Sequence, residues 1–384
     1  KYKYWYLLNC FKAANDYEKI KSKINITKSE KIIKNNLFDK NIYSSKLSLT
    51  ELKKKLIIEQ KKNETALYNI IGLSVETRPD YINEKELWQL RELGVTRVEI
   101  GVQALDDKIL KLNNRGHNVL AISKATEKLK QFGFKITYHF MPALPGSNPK
   151  KDVAMFKKMY LDERFKPDQI KFYPTTVVKD SLLYTWWQQG KYKPYSDKQL
   201  ENIIINCKKI VPVYTRIMRL VRDIPGESIE AGNKITNLRQ VMKDKGVICH
   251  CIRCREPQDK IINNKNLKLN ILKYKSSGAD EYFISFDSLD NKTLYGFCRL
   301  RIDPKSKISP AIIRELHVYG QLVPIGGEKK VQHSGLGKKL VAEAEKITKN
   351  NKLNKLAVIS GVGVRKYYEK LGYKLSQTYM VKKL

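Results

Sequence analysis

Between residues 68 and 178, short β-prone runs alternate with amphipathic ones, and this alternation restricts the fold more than any other feature of the chain. "NIIGLSVETRPD" is an apolar β-rich run stopped by Pro79, and "INEKELWQLRELG" sets Leu87, Leu90 and Leu93 at helical spacing before Gly94. "RVEIGVQ" reads as a second strand, "AISKATEKLKQFGF" as a helix, "KITYHFMPALPG" as a third strand and "DQIKFYPTTVV" as a fourth. Strand–helix units recurring every ~25–35 residues predict a parallel sheet joined by crossover helices. Strands so nearly apolar are expected to be covered on both faces. Four units make part of an eight-stranded barrel of the TIM type, not a closed one.

The flanking regions differ. Residues 1–65 are lysine-rich, with "KNNLFDKNIYSSK" reading as a solvated loop and "LSLTELKKKLIIEQKK" as a helix with a basic face. Residues 176–260 read as helical and basic. Beyond the polar stretch "PQDKIINNKN", residues 265–384 read as strands followed by a strand–helix–strand unit, with "IIRELHVYGQLVPI" as a long strand. The expected division is a partial barrel over 1–175, a basic linker region over 176–264 and a second α/β domain over 265–384.

The formal net charge is +35, a field that favours a polyanion such as nucleic acid, although a compositional bias toward Lys, Ile and Asn gives the same excess. "WWQQGKYKPY" and "YTRIMRLVR" interleave aromatics with Lys and Arg, a pattern that suits phosphates and unstacked bases. Trp186 and Trp187 serve a core equally well. Arg216, Arg219 and Arg222 form a basic stripe if their segment is helical. No apolar run approaches the ~20 residues that span a bilayer, so the chain reads as soluble with no membrane partner. No signal peptide is visible, and the opening Lys1 leads us to expect a fragment or processed product.

Three of the six cysteines fall within "CHCIRC" as Cys249, Cys251 and Cys254. This spacing points to a reducing, cytoplasmic setting rather than to a disulfide framework. Three thiolates can meet one ion at ~2.3 Å, with zinc the usual occupant, and Arg253 and Arg255 would offset their charge. Free or redox-active thiols are the alternative, and His250 as a fourth ligand stays open.

"VQHSGLGKKLVAEAEKI" places Gly335 and Gly337 in the mouth of a helix. Free amides and the positive end of the helix dipole there form a site for a pyrophosphate, and Lys338 and Lys339 add charge. A glycine-rich helix entry without ligand is the other reading. The pattern Gln332-x-x-Gly335-x-Gly337 resembles the acetyl-CoA pyrophosphate loop of the Gcn5-related N-acetyltransferases. "AVISGVGVRKYYEKLGY" follows, with Tyr367 and Tyr368 on a short helix, where at most one of two adjacent residues can be fully buried. In acetyltransferases of this kind an aromatic helix lies beside the thioester, and a tyrosine hydroxyl can protonate the departing thiolate.

In order along the chain, "SVETRPDY", "TRVEIGVQ", "NNRGH", "KFYPT", "VRDIP", "IRELHVYG", "QHSGLG" and "AVISGVGVRKYYEKLGY" resemble the family of Elongator catalytic subunits, tRNA carboxymethyluridine synthases. The resemblance implies a partial radical-SAM barrel followed by an acetyltransferase domain. It implies acetyl-CoA, S-adenosylmethionine, an iron–sulfur (4Fe-4S) cluster and tRNA as reactants, with the anticodon stem-loop as partner, other Elongator subunits alongside, and a carboxymethyl group placed on the wobble uridine. By position, Glu315, Leu316, His317 and Val318 should line the acetyl and pantetheine end. Gln332, Gly335, Leu336, Gly337 and Lys338 should hold the pyrophosphate. Tyr368, with Tyr367 beside it, should contact CoA and tune hydrolysis. Lys61 falls where the family has an acetyl-CoA-contacting lysine, or is one surface lysine among many. Glu76 and Gln103 are candidates to face the radical cofactor, or are strand-end caps. The Cys triad resembles the zinc-binding segment of prokaryotic members and is expected to pin barrel to acetyltransferase. It is not the radical cluster, which needs three cysteines early in the barrel, where this chain has Cys10 alone before Cys207. The first two barrel strands are likewise expected to be missing. The rival functions are a protein lysine acetyltransferase and a degenerate tRNA-binding homologue.

Overall fold

The computed structural model describes residues 1–20, 46–221, 224–235, 237–257, 267–319 and 335–384. In chain order the helices are α1 (Tyr2–Ile20), α2 (Leu49–Asn63), α3 (Glu84–Glu92), α4 (Asp107–Leu112), α5 (Val119–Gln131), α6 (Pro149–Leu161), α7 (Leu182–Gln188), α8 (Asp197–Ile210), α9 (Leu238–Asp244), α10 (Leu336–Asn350) and α11 (Arg365–Glu369). The strands are β1 (Leu73–Thr77), β2 (Val95–Gln103), β3 (Lys135–Phe140), β4 (Gln169–Phe172), β5 (Val177–Val178), β6 (Arg216–Arg219), β7 (Ile229–Ala231), β8 (Leu267–Ser276), β9 (Ala279–Ser288), β10 (Leu294–Ile302), β11 (Ala311–Val318), β12 (Lys355–Val358), β13 (Lys374–Ser376) and β14 (Tyr379–Lys383). The loop expected over "KNNLFDKNIYSSK", and the continuation of the long strand past Tyr319, lie outside the described residues.

Packing divides the chain into two compact units. The first takes in residues 1–74, 85–96 and 358–382. Here α2 opens with a capping box, Ser48 accepting from the Glu51 amide while the Glu51 carboxylate accepts from the Ser48 amide, and it buries Leu52 and Leu56. Gln60 donates to the Glu92 carbonyl at 2.9 Å, which fastens α2 to α3. Arg91 is buried, donates to the Thr378 carbonyl at 2.5 Å and to that of Val95, and lies 4.8 Å over the Tyr379 ring of the β13–β14 hairpin. Gly361 is needed for close approach: a Cβ there would collide with the Ile71 carbonyl.

The second unit takes in residues 75–84, 97–357 and 383–384. Its first sheet has the order β1-β2-β3-β4-β6, with β2, β3, β4 and β6 parallel, as the strand–helix alternation predicts. The crossover helices start on side-chain caps, Asn118 before α5 and Asn148 before α6. One face of the sheet is apolar. Val98, Ile100, Val102, Ile136, Tyr138, Phe140, Ile170 and Phe172 are all fully buried on it. Phe156 of α6 packs there, with ring centroids 6.0 Å from Phe140 and 5.2 Å from Phe172. The opposite face corrects the expectation of two apolar sides: it carries Arg97, Glu99, Thr137, His139, Gln169 and Lys171, the alternate residues of the same strands. A second correction concerns Arg216 and Arg219, which lie on strand β6 and not on a helix, with Ile217 between them buried. Arg222 lies outside the described residues.

The second sheet of this unit runs β12-β11-β10-β9-β8, with β8 to β11 antiparallel and α10 packed on β9, β10 and β11. Pairing of β10 with β11 slips between Arg299 and Leu300, which face Glu315 and Ile313 respectively. Arg314 is therefore a bulge residue, and it projects to the same side as Glu315. Both reach the first sheet. Arg314 grips Asp168, the residue before β4, with two nitrogens at 2.9 and 2.5 Å. Glu315 takes Arg299 at 2.8 Å and Lys135 at 2.5 Å. Glu281 adds Arg301 at 3.1 Å and Arg314 at 3.5 Å. Burial acts to raise the Asp168 carboxyl, but Arg314, Arg299 and Lys130 outweigh it and hold the group below its ordinary value.

Removing one partner from such a cluster leaves buried charge uncompensated, which costs about 3–5 kcal/mol. Asp168→Asn is therefore expected to lower the urea-unfolding free energy by that amount at neutral pH. A loss under ~1 kcal/mol, the level of an exposed pair, would show that the cluster does not hold the sheets together.

Candidate functional site

In a parallel sheet with crossover helices the carboxyl ends of the strands carry the chemistry. The polar face gathers there. His139, near the end of β3, lies between two carboxylates, with Nε2 2.8 Å from Glu99 and Nδ1 3.2 Å from Glu76. Lys171 of β4 also pairs with Glu99, and Tyr173 meets the His139 ring edge-on at 4.9 Å. Burial would raise the Glu99 carboxyl, yet hydrogen bonds from His139 and Lys171 with the charges of Lys171 and Arg97 bring it down to about 2. Glu76 is largely exposed apart from its contact with His139. Gln103 is buried at the end of β2 with φ +64°, and its carbonyl accepts from the Met141 amide at 2.9 Å. Glu99, His139, Lys171 and Tyr173 were missed by the sequence reading. The signal was the polar residue at every second position of "RVEIGVQ", "KITYHF" and "QIKF".

In the same unit α10 begins at Leu336 behind Gly335, which has φ +70° and no side chain to cap the helix. The first turn holds no acidic residue, and a Cβ on Gly335 would meet nothing within 4 Å. A fifteen-residue helix whose amino end no described side chain caps, with Gly337 and Lys338 in its first turn, fits a diphosphate. Gln332 lies outside the described residues. On β11, Glu315 does not face outward, since its carboxylate is taken by Arg299 and Lys135. Leu316 and Val318 are half-buried, and His317 is exposed beside Phe297 and Tyr319 at ring distances of 5.8 and 4.4 Å.

Within the first unit, Lys61 meets Glu64 at 2.6 Å, and Glu64 meets Arg365 at 3.2 Å, the first residue of α11. Lys61 and Arg365 line a cavity of about 350 Å³ with Gln60 and Leu56, whereas Tyr367 and Tyr368 are not part of its lining. Of the two tyrosines Tyr368 is the buried one, packed against Tyr373, and Tyr367 is half-buried with its ring 5.1 Å from that of Tyr368.

The sulfurs of Cys249, Cys251 and Cys254 lie within 4.8 Å of one another, close enough for one tetrahedral ion. Hydrogen bonds from Cys249 and Cys254 hold the Cys251 thiol below its ordinary value. His250 is not part of this group; its carbonyl accepts from Arg255 Nε at 3.0 Å. Arg255 also donates to the Val213 carbonyl at 2.7 Å and pairs with Asp287 of β9 at 2.6 Å. Among the described residues no other trio of cysteines exists, and no helix is long and apolar enough to cross a membrane.

The Radical SAM superfamily matches residues 41–159, the Radical_SAM C-terminal domain residues 167–245 and the Acetyltransferase (GNAT) family residues 253–373. A tRNA uridine(34) acetyltransferase of Dehalococcoides mccartyi is 44% identical over 84% of this chain and 74% of its own length. A protein of the same name from Methanocaldococcus infernus is 41% identical over 85% of this chain, and human Elongator complex protein 3 is 38% identical over 84% of it. The chain spans 64% and 62% of those two relatives. The solved archaeal Methanocaldococcus infernus Elp3, with an N-terminal deletion, superposes with a TM-score of 0.79 at 41% identity over 86% of this chain and 82% of that one.

The depressed Glu99 carboxyl makes a pH prediction. Its folded value of about 2 lies below the unfolded one, so its stabilisation is full above the unfolded value and is lost as pH falls through about 2. Glu99→Gln should cost roughly 2–3 kcal/mol at pH 7, with the gap to wild type closing between about pH 5 and 2 in denaturant titrations. A gap independent of pH would remove His139 and Lys171 as the partners that hold the charge.

Proposed function

The chain belongs to the family of tRNA uridine(34) acetyltransferases and Elongator complex protein 3, a radical-SAM domain followed by a GNAT domain, and from that premise we propose that it uses acetyl-CoA to modify the wobble uridine of tRNA, with 5-carboxymethyluridine as product. The observation that carries this reading is the uncapped start of α10. Among the described residues no side chain caps its first amides, and with Gly335 in the left-handed region they offer a diphosphate cradle.

In this reading the residues act as follows. Gly335, Leu336, Gly337 and Lys338 bind the pyrophosphate of CoA. Leu316, His317 and Val318 lie along the pantetheine arm. Lys61, held by Glu64, contacts acetyl-CoA. When water cleaves the thioester, the C–S bond breaks and Tyr368, with Tyr367 beside it, gives a proton to the departing thiolate. Glu76 and Gln103 at the strand ends hold S-adenosylmethionine, and His139 orients Glu76. That group supplies carbon-radical chemistry when bound with its iron–sulfur cluster. The residues of this sequence do not fit the cluster itself, because Cys10 is the sole cysteine before Cys207 and the cluster needs three thiolates. Cys249, Cys251 and Cys254 hold zinc in a structural role, and Arg255 ties their loop to β9 and to the turn before β6. The anticodon stem-loop is the substrate, attracted by the net charge of +35.

Calorimetry should detect acetyl-CoA binding in the presence of tRNA, and tRNA should speed acetyl-CoA hydrolysis. Tyr368→Phe is expected to slow the stimulated hydrolysis at least ~10-fold with acetyl-CoA affinity kept. Hydrolysis indifferent to that change removes Tyr368 from the reaction. Acetylated peptide instead of modified tRNA would replace this function by lysine acetylation.

Metal analysis should find about one zinc per chain. Cys251→Ser or a strong chelator should remove it and lower the melting temperature by several degrees. Full zinc content in Cys251→Ser would dissolve the site.

A further inference from the structure

The loop that follows β3 builds a second concave feature. A cavity of about 410 Å³ lies among Leu144, Pro145, Trp186, Lys191, Tyr192 and Lys193. That volume falls within the ~300–1,000 Å³ of small-ligand sites. Its wall is the loop that leaves β3 at the carboxyl end of the parallel strands, with Ala143 to Ser147 lining it.

Its walls are fixed in place. Asp152 is fully buried and takes three donors: the Ala143 amide at 2.9 Å, the Ser147 hydroxyl at 2.6 Å and the Tyr195 hydroxyl at 2.8 Å. The Tyr192 hydroxyl donates to the Ala143 carbonyl at 2.9 Å. These bonds hold Ala143 at φ +67°, a conformation that a residue with a Cβ seldom adopts. The Lys191 amide donates to the Trp186 carbonyl at 2.8 Å, closing the turn after α7, and both residues line the cavity. Trp186 is half-buried, and no residue of its helix is fully buried, so the indole is not spent on the core. Lys191 and Lys193 are exposed, and the lining contains no acidic residue. Lys151 adds its ammonium at the rim, 3.2 Å from the Gly146 carbonyl.

An aromatic platform, a rigid apolar wall and lysines at the lip match an unpaired nucleotide, whose base has a π face and whose phosphate is an anion. We propose that this pocket takes an unstacked base of the RNA, a neighbour of the modified uridine in the anticodon loop, with Trp186 stacking on it and Lys191 and Lys193 binding its phosphate. The inference rests on tRNA being the substrate. It adds a place where the loop is splayed open, so that the wobble base enters the barrel mouth alone.

The test uses the whole chain and an anticodon stem-loop RNA carrying 2-aminopurine next to the wobble position. Wild type should quench the fluorophore on binding. Trp186→Leu should lose the quench and weaken binding about 5- to 100-fold, and Trp186→Phe should recover most of both. The double change Lys191→Glu and Lys193→Glu should weaken binding and lower the salt slope by roughly 1–1.5. Melting temperature and acetyl-CoA affinity serve as controls and should not move. If wild type binds and modifies tRNA while these variants match it in quench and affinity, the pocket has another occupant, such as an acidic protein segment, and the inference falls alone. If wild type binds no RNA, the inference falls together with the tRNA reading.

Discussion

The bidentate pair of Asp168 and Arg314 is the contact on which the second unit turns. Asp168 closes the turn before β4 and also accepts from the Ile136 amide at 2.9 Å, so it fixes the start of two parallel strands. Arg314 can reach it because β11 carries a bulge there. A charge pair this deep is a poor source of net stability, since desolvation offsets most of the attraction. What it supplies is register. A one-residue slip of β11 would bury Arg314 against apolar side chains and strand Asp168, so competing pairings are heavily penalised. Cations outnumber acids among Lys130, Lys135, Arg299, Arg301, Arg314, Asp168, Glu281 and Glu315. Burial brings the Lys130 ammonium down to about 7, which relieves that excess near neutrality.

This anchoring uses the amino ends of the parallel strands. Asp168, Lys135 and the Phe134 carbonyl, which accepts from Arg314 at 3.2 Å, all precede or open a strand. The carboxyl ends are left to Glu76, Glu99, His139, the loop after β3 and its pocket. Division of labour between the two ends of a barrel follows from geometry. Loops at the carboxyl ends can vary without disturbing the strand starts that set the core.

The order of strands and helices was legible because each amphipathic run has its own period and its own cap or glycine. The mouth of α10 was legible from two glycines, and the thiol trio from a spacing that permits few alternatives. The polar strand face was not, because its alternation in β2, β3 and β4 is masked by the apolar residues between and after the polar ones, which make each run look apolar throughout. Arginines three residues apart at 216 and 219 mimic a helix period, and only the pairing of β4 with β6 decides for a strand. Glu315 stood in a motif that suggested ligand contact. The bulge at Arg314, invisible in sequence, instead turned its carboxylate toward Lys135 and Arg299. Gly361 belongs to the motif around the tyrosine helix, and its cause is a backbone approach to Ile71 that no local pattern encodes.

The same clusters leave the surface field intact. Arg91, Arg299, Arg301 and Arg314 are among the largest fully buried side chains, with Lys130 beside them, while Lys191 and Lys193 remain outside. Arginine suits burial because its planar fork meets carboxylates bidentately and is weakly hydrated. Lysine's compact ammonium keeps its water. Several of the chain's 39 acids (Glu99, Asp152, Asp168, Glu281, Asp287 and Glu315 among them) are spent inside. Buried cations such as Arg91, Lys130, Arg255, Arg299, Arg301 and Arg314 match them in number, so the surface keeps essentially the whole net charge of +35. A polyanion approaching from solution meets lysines with few competing carboxylates, and contacts that discriminate must come from rings and backbone amides at fixed sites.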